Sequence, residues 1–161
     1  MTDLPGWLKH TTVWLLVAVA VFLGVQALQA RQAAMQLVVD GGTLEIRRGA
    51  DGHYHWPGRI AGREVEFLVD TGATGTAIPT ALARELGLKP VGSMRSSTAG
   101  GTVNGSVVVA DLELRGGLRA DRLRLAALPD LAAPLLGMDV LGKLRLEQND
   151  GVLRIDLHTP R

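Results

Sequence analysis

The sequence predicts a small, mostly antiparallel β domain, closed or nearly closed into a barrel, that follows one N-terminal helix. Three observations lead to this prediction. From His53 onward, short apolar runs alternate with glycine-containing turns, which is typical of a β-rich fold. Only two segments after that point have helical character, and both are short. Before it, Thr11–Ala30 is a single stretch without formal charge.

Composition narrows the possible functions. The chain has 161 residues, which favours one folded domain, and its 20 glycines suit a fold with many turns. It contains no cysteine, so disulfides, thiolate metal sites and cysteine nucleophiles are excluded. The net charge is +1 and the basic residues are scattered, so we expect no nucleic-acid partner.

Residues 11–30 are predicted to form a transmembrane helix after a short tail, residues 1–10. The stretch has 20 residues, about the number that a helix needs to cross the hydrocarbon core. A cleaved signal peptide is the alternative, because Ala27–Ala30 could serve as a cleavage site, although the apolar region is longer than signals usually have. The flanking lysines and arginines do not support an outward-facing domain and mildly oppose one.

The remaining chain divides into a tether, a main domain and a tail. Residues 31–52 are predicted to be the tether, with a possible first strand at Thr43–Arg48, and residues 158–161 the C-terminal tail. The main domain covers residues 53–157. Its strands are predicted in segments 53–60, 64–70, 105–115, 118–128, 143–148 and 151–157. Its helices are predicted at Pro79–Leu86, which begins with proline and stops before a glycine, and at Met138–Leu141.

Asp70 is the candidate catalytic residue because of where it stands in the sequence. It ends an apolar strand, and Thr71, Gly72 and Ala73 then turn the chain sharply, with glycine allowing close backbone approach. One interpretation is structural: an Asx-turn, in which the carboxylate bonds only its own backbone. The other is catalytic, since a carboxylate at this place is partly shielded from water and lies among backbone amides.

The surrounding sequence resembles a known family. Residues 66–76, EFLVDTGATGT, resemble the active-site signature of aspartic peptidases: apolar residues, then Asp-Thr-Gly-Ala/Ser. Residues 134–141, PLLGMDVL, resemble the apolar-apolar-Gly turn and short helix of the retroviral-type (retropepsin-like, clan AA) members. Residues 52–74 resemble the N-terminal hairpin of a bacterial membrane-anchored branch. The resemblance covers residues 52–157 and implies a β-barrel of the acid-protease (retropepsin) type.

The chemistry of this family requires two carboxylates, and the sequence supplies one. Two carboxyl groups about 3 Å apart share a proton, so that one can activate water while the other polarises the peptide carbonyl. No second apolar-apolar-Asp-Thr-Gly occurs in the chain. The partner carboxylate is therefore expected from a second copy, which predicts a homodimer with Asp70 at the two-fold axis. No metal or organic cofactor is required.

Three groups of residues are expected to support Asp70. Thr71, Gly72 and Ala73 would hold the active-site loop, and Leu135, Leu136 and Gly137 would form the second active-site turn. Ala99, Gly100 and Gly101 are candidates for the tip of a flap, a hairpin that covers the substrate, because small residues permit opening. A plain polar hairpin loop is the alternative interpretation of this last segment.

The predicted function is a membrane-anchored aspartic endopeptidase that acts on peptides or proteins. The alternative is a catalytically silent peptide-binding or assembly module with the same barrel. The resemblance implies a single-pass bacterial inner-membrane protein with its domain in the periplasm, while the charge count leaves the orientation undecided. His53 and His55 are spaced as a metal pair would be, but without a third ligand we predict no metal site.

Overall fold

A long N-terminal helix forms a unit of its own. The structure, a computed structural model, describes residues 6–35, 37–40, 42–98 and 101–157. Helix α1 extends over Gly6–Met35, without a proline to interrupt it, and belongs to the first of two units, Met1–Leu37 and Val38–Arg161. The side chains of residues 10–26 are exposed.

The helix predicted over residues 11–30 is present, but its predicted role is not supported. In the portion of the chain that the structure describes, no helix meets the combined length and hydropathy that crossing a membrane demands. The prediction of a transmembrane helix, and the membrane localisation that depended on it, are therefore left without structural support.

The second unit consists mainly of strands. In chain order its elements are β1 (Leu37–Asp40), β2 (Thr43–Arg47), β3 (His55–Ile60), β4 (Arg63–Val69), β5 (Ala77–Pro79), α2 (Thr80–Glu85), β6 (Gly92–Thr98), β7 (Gly101–Leu114), β8 (Leu118–Leu128), β9 (Leu135–Leu136), α3 (Met138–Leu141), β10 (Arg145–Asn149) and β11 (Val152–Asp156). The two short helices lie where the sequence predicted them, within one residue at each end.

The larger sheet closes into a barrel, which confirms the β-barrel part of the predicted fold. Its strand order is β3-β4-β9-β5-β8-β7-β6, and β3 also pairs with β7, so the first six strands form a ring and β6 attaches to β7 outside it. Alternate residues point into the ring, and Trp56, Phe67 and Leu125 there are fully buried. The indole Nε1 of Trp56 donates to the carbonyl of Arg115 over 2.8 Å, which satisfies its buried polar atom.

A second, four-stranded sheet joins the two ends of this unit in the order β1-β2-β11-β10. Strand β2 pairs antiparallel with β11, and the apolar residues of both strands, including Leu44, Ile46 and Ile155, are buried. The segment predicted as a tether therefore contributes strands to the folded unit. Apolar and polar residues alternate in β2, so one of its faces must be covered. The C-terminal hairpin of β10 and β11 pairs with β2 and extends the sheet that carries this face.

Two hairpins turn on two-residue loops of the same geometry. Ala61-Gly62 joins β3 to β4 and Asp150-Gly151 joins β10 to β11, and all four residues have positive φ. Positive φ at both central positions is what a type I′ turn requires, and Asn, Asp and Gly tolerate it best. Ala61 is the residue of the four least suited to its conformation.

We expect Ala61→Asn to stabilise the protein by about 1 kcal/mol, because asparagine visits the left-handed region with less strain than alanine. The measurement is the urea midpoint of the full chain. Asp150→Ala, the reverse change in the sister turn, should lower the midpoint by a similar amount. A lower midpoint for Ala61→Asn would contradict this explanation of the turn.

Candidate active site

Strand β9 organises the loop that carries Asp70. It lies between β4 and β5, parallel to the first through Leu68↔Leu135 and Val69↔Leu136 and antiparallel to the second through Ala77↔Leu135. Residues 70–76 connect β4 to β5 and must therefore pass over the end of β9. The barrel thus brings the two predicted motifs together, although residues 77–133 separate them in the sequence.

The backbone of Asp70 is fixed to β9. Its N–H donates to the carbonyl of Leu136 over 3.0 Å, and its own carbonyl accepts the N–H of Ala73 over 3.2 Å. The carboxylate oxygen Oδ1 accepts the N–H of Gly72 over 2.9 Å. These bonds form the Asx-turn that the structural interpretation predicted, and they also orient a half-buried carboxylate at the end of a strand.

The residues around Asp70 differ in exposure. Thr71 and Gly72 are exposed, and Ala73 is half-buried, with its carbonyl accepting the N–H of Met138 over 2.9 Å. Leu136 is fully buried and Leu135 half-buried. Exposed loop residues beside an oriented carboxylate leave this face of the chain open to a substrate or a second chain.

Gly137 lies against the loop so closely that no side chain fits. A Cβ on Gly137 would lie 2.4 Å from the carbonyl carbon of Gly75 and 2.5 Å from its oxygen. Both neighbours are backbone atoms, which cannot move without shifting the loop itself. The predicted second turn at Leu135, Leu136 and Gly137 therefore serves as the support on which the Asp70 loop rests.

Sequence reasoning missed a pair of residues that links the loop to this support. The hydroxyl of Thr76 donates to Asp139 Oδ1 over 2.7 Å and accepts the N–H of Gly137 over 3.2 Å. Asp139 lacks the apolar-Asp-Thr-Gly context of Asp70, so the sequence does not mark it as a functional residue. Its position immediately after the Gly-Met turn was the only available signal.

The hairpin of β6 and β7 extends beyond the barrel. Their pairing reaches Thr98↔Gly101, whereas the pairing of β7 with β8 begins only at Ser106↔Ala127. Residues 94–98 and 101–105 therefore pair only with each other among the strands that the structure describes. Of the three predicted flap residues, Ala99 and Gly100 lie outside the described residues, while Gly101 begins β7 with φ of +111°.

Of the two histidines near the start of β3, His55 has its ring paired with carboxylates, and His53 contributes its backbone N–H. His55 Nε2 lies 2.9 Å from Asp51 Oδ2, and His55 Nδ1 lies 3.5 Å from Glu66 Oε2. The backbone N–H of His53 donates to Asp51, and this bond, followed by the contact with His55, lowers the pKa of the Asp51 carboxyl. The two carboxylates face opposite nitrogens of the His55 ring, so they cannot join that ring around one ion.

A cavity among the described residues lies elsewhere. Its volume is about 590 Å³, and it is lined by residues of β3, β4 and β7 together with Arg115. None of residues 70–76 contributes to it. In its lining, Arg59 and Glu64 pair with each other over 2.8 Å. The cavity is therefore separate from the loop that carries Asp70.

Comparisons with known proteins were made on sequence and fold. Residues 56–140 match the sequence profile of a family described as aspartyl protease. A retropepsin-like aspartic protease from Rickettsia conorii has a similar fold, with 23% identity and a TM-score of 0.57, and the match covers 71% of this chain and 90% of that one. The EIAV protease complexed with the inhibitor HBY-793 has 20% identity and a TM-score of 0.50, covering 58% and 89%. No curated protein matches the chain in sequence.

Proposed function

The chain belongs to the aspartyl proteases, and its fold is similar to that of a retropepsin-like member. From that premise we propose that it is an aspartic endopeptidase that hydrolyses peptide bonds as a homodimer. The observation that carries the proposal is the position of Asp70. Its carboxylate leaves the end of β4, is oriented by the Gly72 N–H, and stands on a loop fastened to β9. A binding function alone gives no reason for such an oriented acid.

In this proposal, hydrolysis uses one Asp70 from each of two copies. The ionised carboxylate takes a proton from a water molecule, which attacks the carbonyl carbon of the scissile peptide bond. The protonated carboxyl of the other copy donates a hydrogen bond to the carbonyl oxygen as negative charge develops there. The two carboxyl groups would share one proton, so that one acts as the base and the other as the hydrogen-bond donor.

Exposure around Asp70 supports the second copy. Thr71 and Gly72 are exposed, and the side chain of Met138, which follows the supporting turn, is 42% exposed. A second chain packed against this face would cover the Met138 side chain and lie beside Asp70. A two-fold axis near Asp70 would place the same residues of both copies against each other.

The hairpin of β6 and β7 is proposed to cover the substrate. A two-stranded ribbon without further strand partners opens at low cost, as a flap must. Gly105 lies at its base, where a Cβ would come within 2.7 Å of the Ala127 carbonyl oxygen. The ribbon is therefore packed tightly against β8 at its base, and beyond that point the described parts of β6 and β7 have each other as strand partner.

The test of the dimer is a mixing experiment with the full chain. Wild type and Asp70→Asn are combined in equal amounts, allowed to exchange subunits, and assayed with fluorescence-quenched peptides at acidic to neutral pH. If each site needs both aspartates, random assortment leaves about one quarter of the activity of the same total amount of wild type. Independent monomers would retain about one half, and that result would overturn the homodimer.

A further inference from the structure

The strongest feature that the proposed function leaves unused is a buried hydroxyl next to the Asp70 loop. Thr76 is 1% exposed and is the one buried polar side chain among the residues whose burial the structure describes. Burying a hydroxyl is unfavourable unless its hydrogen bonds are made. Thr76 is the last residue of the loop, immediately before β5. Because it is buried there, its hydroxyl must have hydrogen-bond partners within the protein.

The bonds of Thr76 fix the direction of its single proton. Its oxygen accepts the N–H of Gly137 over 3.2 Å, so the hydroxyl proton is free to point to Asp139 Oδ1 at 2.7 Å. A hydroxyl has one proton to donate. Here it is donated to Asp139, which lies two residues after Gly137. The same carboxylate oxygen accepts the N–H of Val140 over 3.0 Å, which holds it in place.

The segment that Thr76 holds is the segment that holds Asp70. Gly137 lies between Leu136, whose carbonyl accepts the N–H of Asp70, and Met138, whose N–H donates to Ala73. The backbone contact between Gly137 and Gly75 leaves no spare space in between. A shift of Gly137 would therefore move both Leu136 and Met138. It would disturb the two backbone hydrogen bonds that fix the position of the Asp70 loop.

We propose that Thr76 and Asp139 are positioning residues for Asp70. They hold residues 136–138 against the active-site loop, so that the Asp70 carboxylate keeps the placement needed to meet its counterpart in a second copy. This inference rests on the proposed function for the chemistry of Asp70, but the hydrogen bonds themselves do not depend on activity. A misplacement of about 1 Å in a reacting group can lower a rate by roughly 100-fold.

The test compares Thr76→Val, which has nearly the same shape but no hydroxyl, with Thr76→Ser, which keeps it. With the best-cleaved peptide of a fluorescence-quenched library, Thr76→Val is expected to lower kcat by roughly 10- to 100-fold and to change KM by less than about threefold. Thr76→Ser should recover most of the lost kcat. Thr43→Val, at the start of β2, is the control, because it makes the same change at a half-buried threonine away from the Asp70 loop.

Amide hydrogen exchange, measured by NMR on the full chain, provides a second readout. In Thr76→Val, exchange at the amides of Asp70 and Met138 should rise by about tenfold or more, while Thr43→Val should leave both unchanged. If Thr76→Val fails to fold, Asp139→Asn and Asp139→Ala take its place, since asparagine still offers a carbonyl oxygen to Thr76 and alanine does not.

Two results would overturn the inference: a kcat for Thr76→Val within about threefold of wild type, or unchanged exchange at Asp70 and Met138. The two proposals fail separately. Wild type without cleavage that depends on Asp70 would reject the proposed function, and the exchange measurement would then still decide whether Thr76 and Asp139 position the loop.

Discussion

Asp70→Asn is expected to lower peptide cleavage by roughly 10⁴-fold, at the upper end for the loss of an acid–base group, because both carboxylates of the dimer disappear at once. Asparagine cannot take a proton from water or donate one as a carboxyl group does. It retains an oxygen at the place of Oδ1, so the bond from the Gly72 N–H that orients the side chain remains possible. The measurement is the initial rate on fluorescence-quenched peptides.

The fold of this variant should be unchanged, and that makes the comparison decisive. Far-UV circular dichroism and the thermal midpoint of Asp70→Asn should match those of wild type, since the side chain is half-buried and close in shape. Equal cleavage by the two proteins would reject the proposed chemistry. Equal peptide binding, with no cleavage by either, would instead favour a silent binding module.

Gly137→Ala is expected to destabilise the protein by at least about 3 kcal/mol, because the added Cβ overlaps backbone atoms that have no rotamer to change. This Cβ would lie 2.4 and 2.5 Å from the atoms of the Gly75 carbonyl group, distances that real Cβ atoms essentially never show. The variant should also lose cleavage by about 100-fold or more, since the loop must move to admit the methyl group. Urea unfolding and peptide cleavage measure the two effects.

A matched glycine provides the control for this variant. A Cβ on Gly92, in β6, would have nothing within 4 Å, so Gly92→Ala should change stability by no more than about 0.5 kcal/mol. If Gly137→Ala unfolds within 0.5 kcal/mol of wild type as well, then the close packing of the turn against the loop is not what holds Asp70 in place.

The local features of the fold could be predicted from the sequence, because they depend on neighbouring residues. The two-residue turns at Ala61-Gly62 and Asp150-Gly151 follow from residue types that tolerate positive φ. The helix at Thr80–Glu85 follows from a preceding proline and a glycine after it. The same holds for Asp70, whose strand-end position is visible in the apolar residues before it.

Other features could not be predicted, because they depend on contacts between distant segments. The sequence predicts a possible strand at Thr43–Arg48 within the tether, but nothing in it indicates that this strand pairs with Val152–Asp156. Nor does periodicity reveal the bond between Thr76 and Asp139, which are 63 residues apart. The charge-free stretch at 11–30 predicted a helix correctly, but the inference from it to a membrane span is unsupported.

The sequence by itself determined that this protein has one oriented acid per chain, on a strand that ends in a tight turn, in a fold made mostly of strands. The alternation of apolar and polar residues, and the residue types of the turns, are sufficient to predict these features. Only the tertiary structure decided what supports the acid: the barrel closes through β3 and β7 and inserts β9 beneath the loop. Closure of the barrel determines which distant backbone groups come into contact. The hydrogen bonds of Leu136, Gly137 and Met138 with residues 70–76 then hold the Asp70 loop in position.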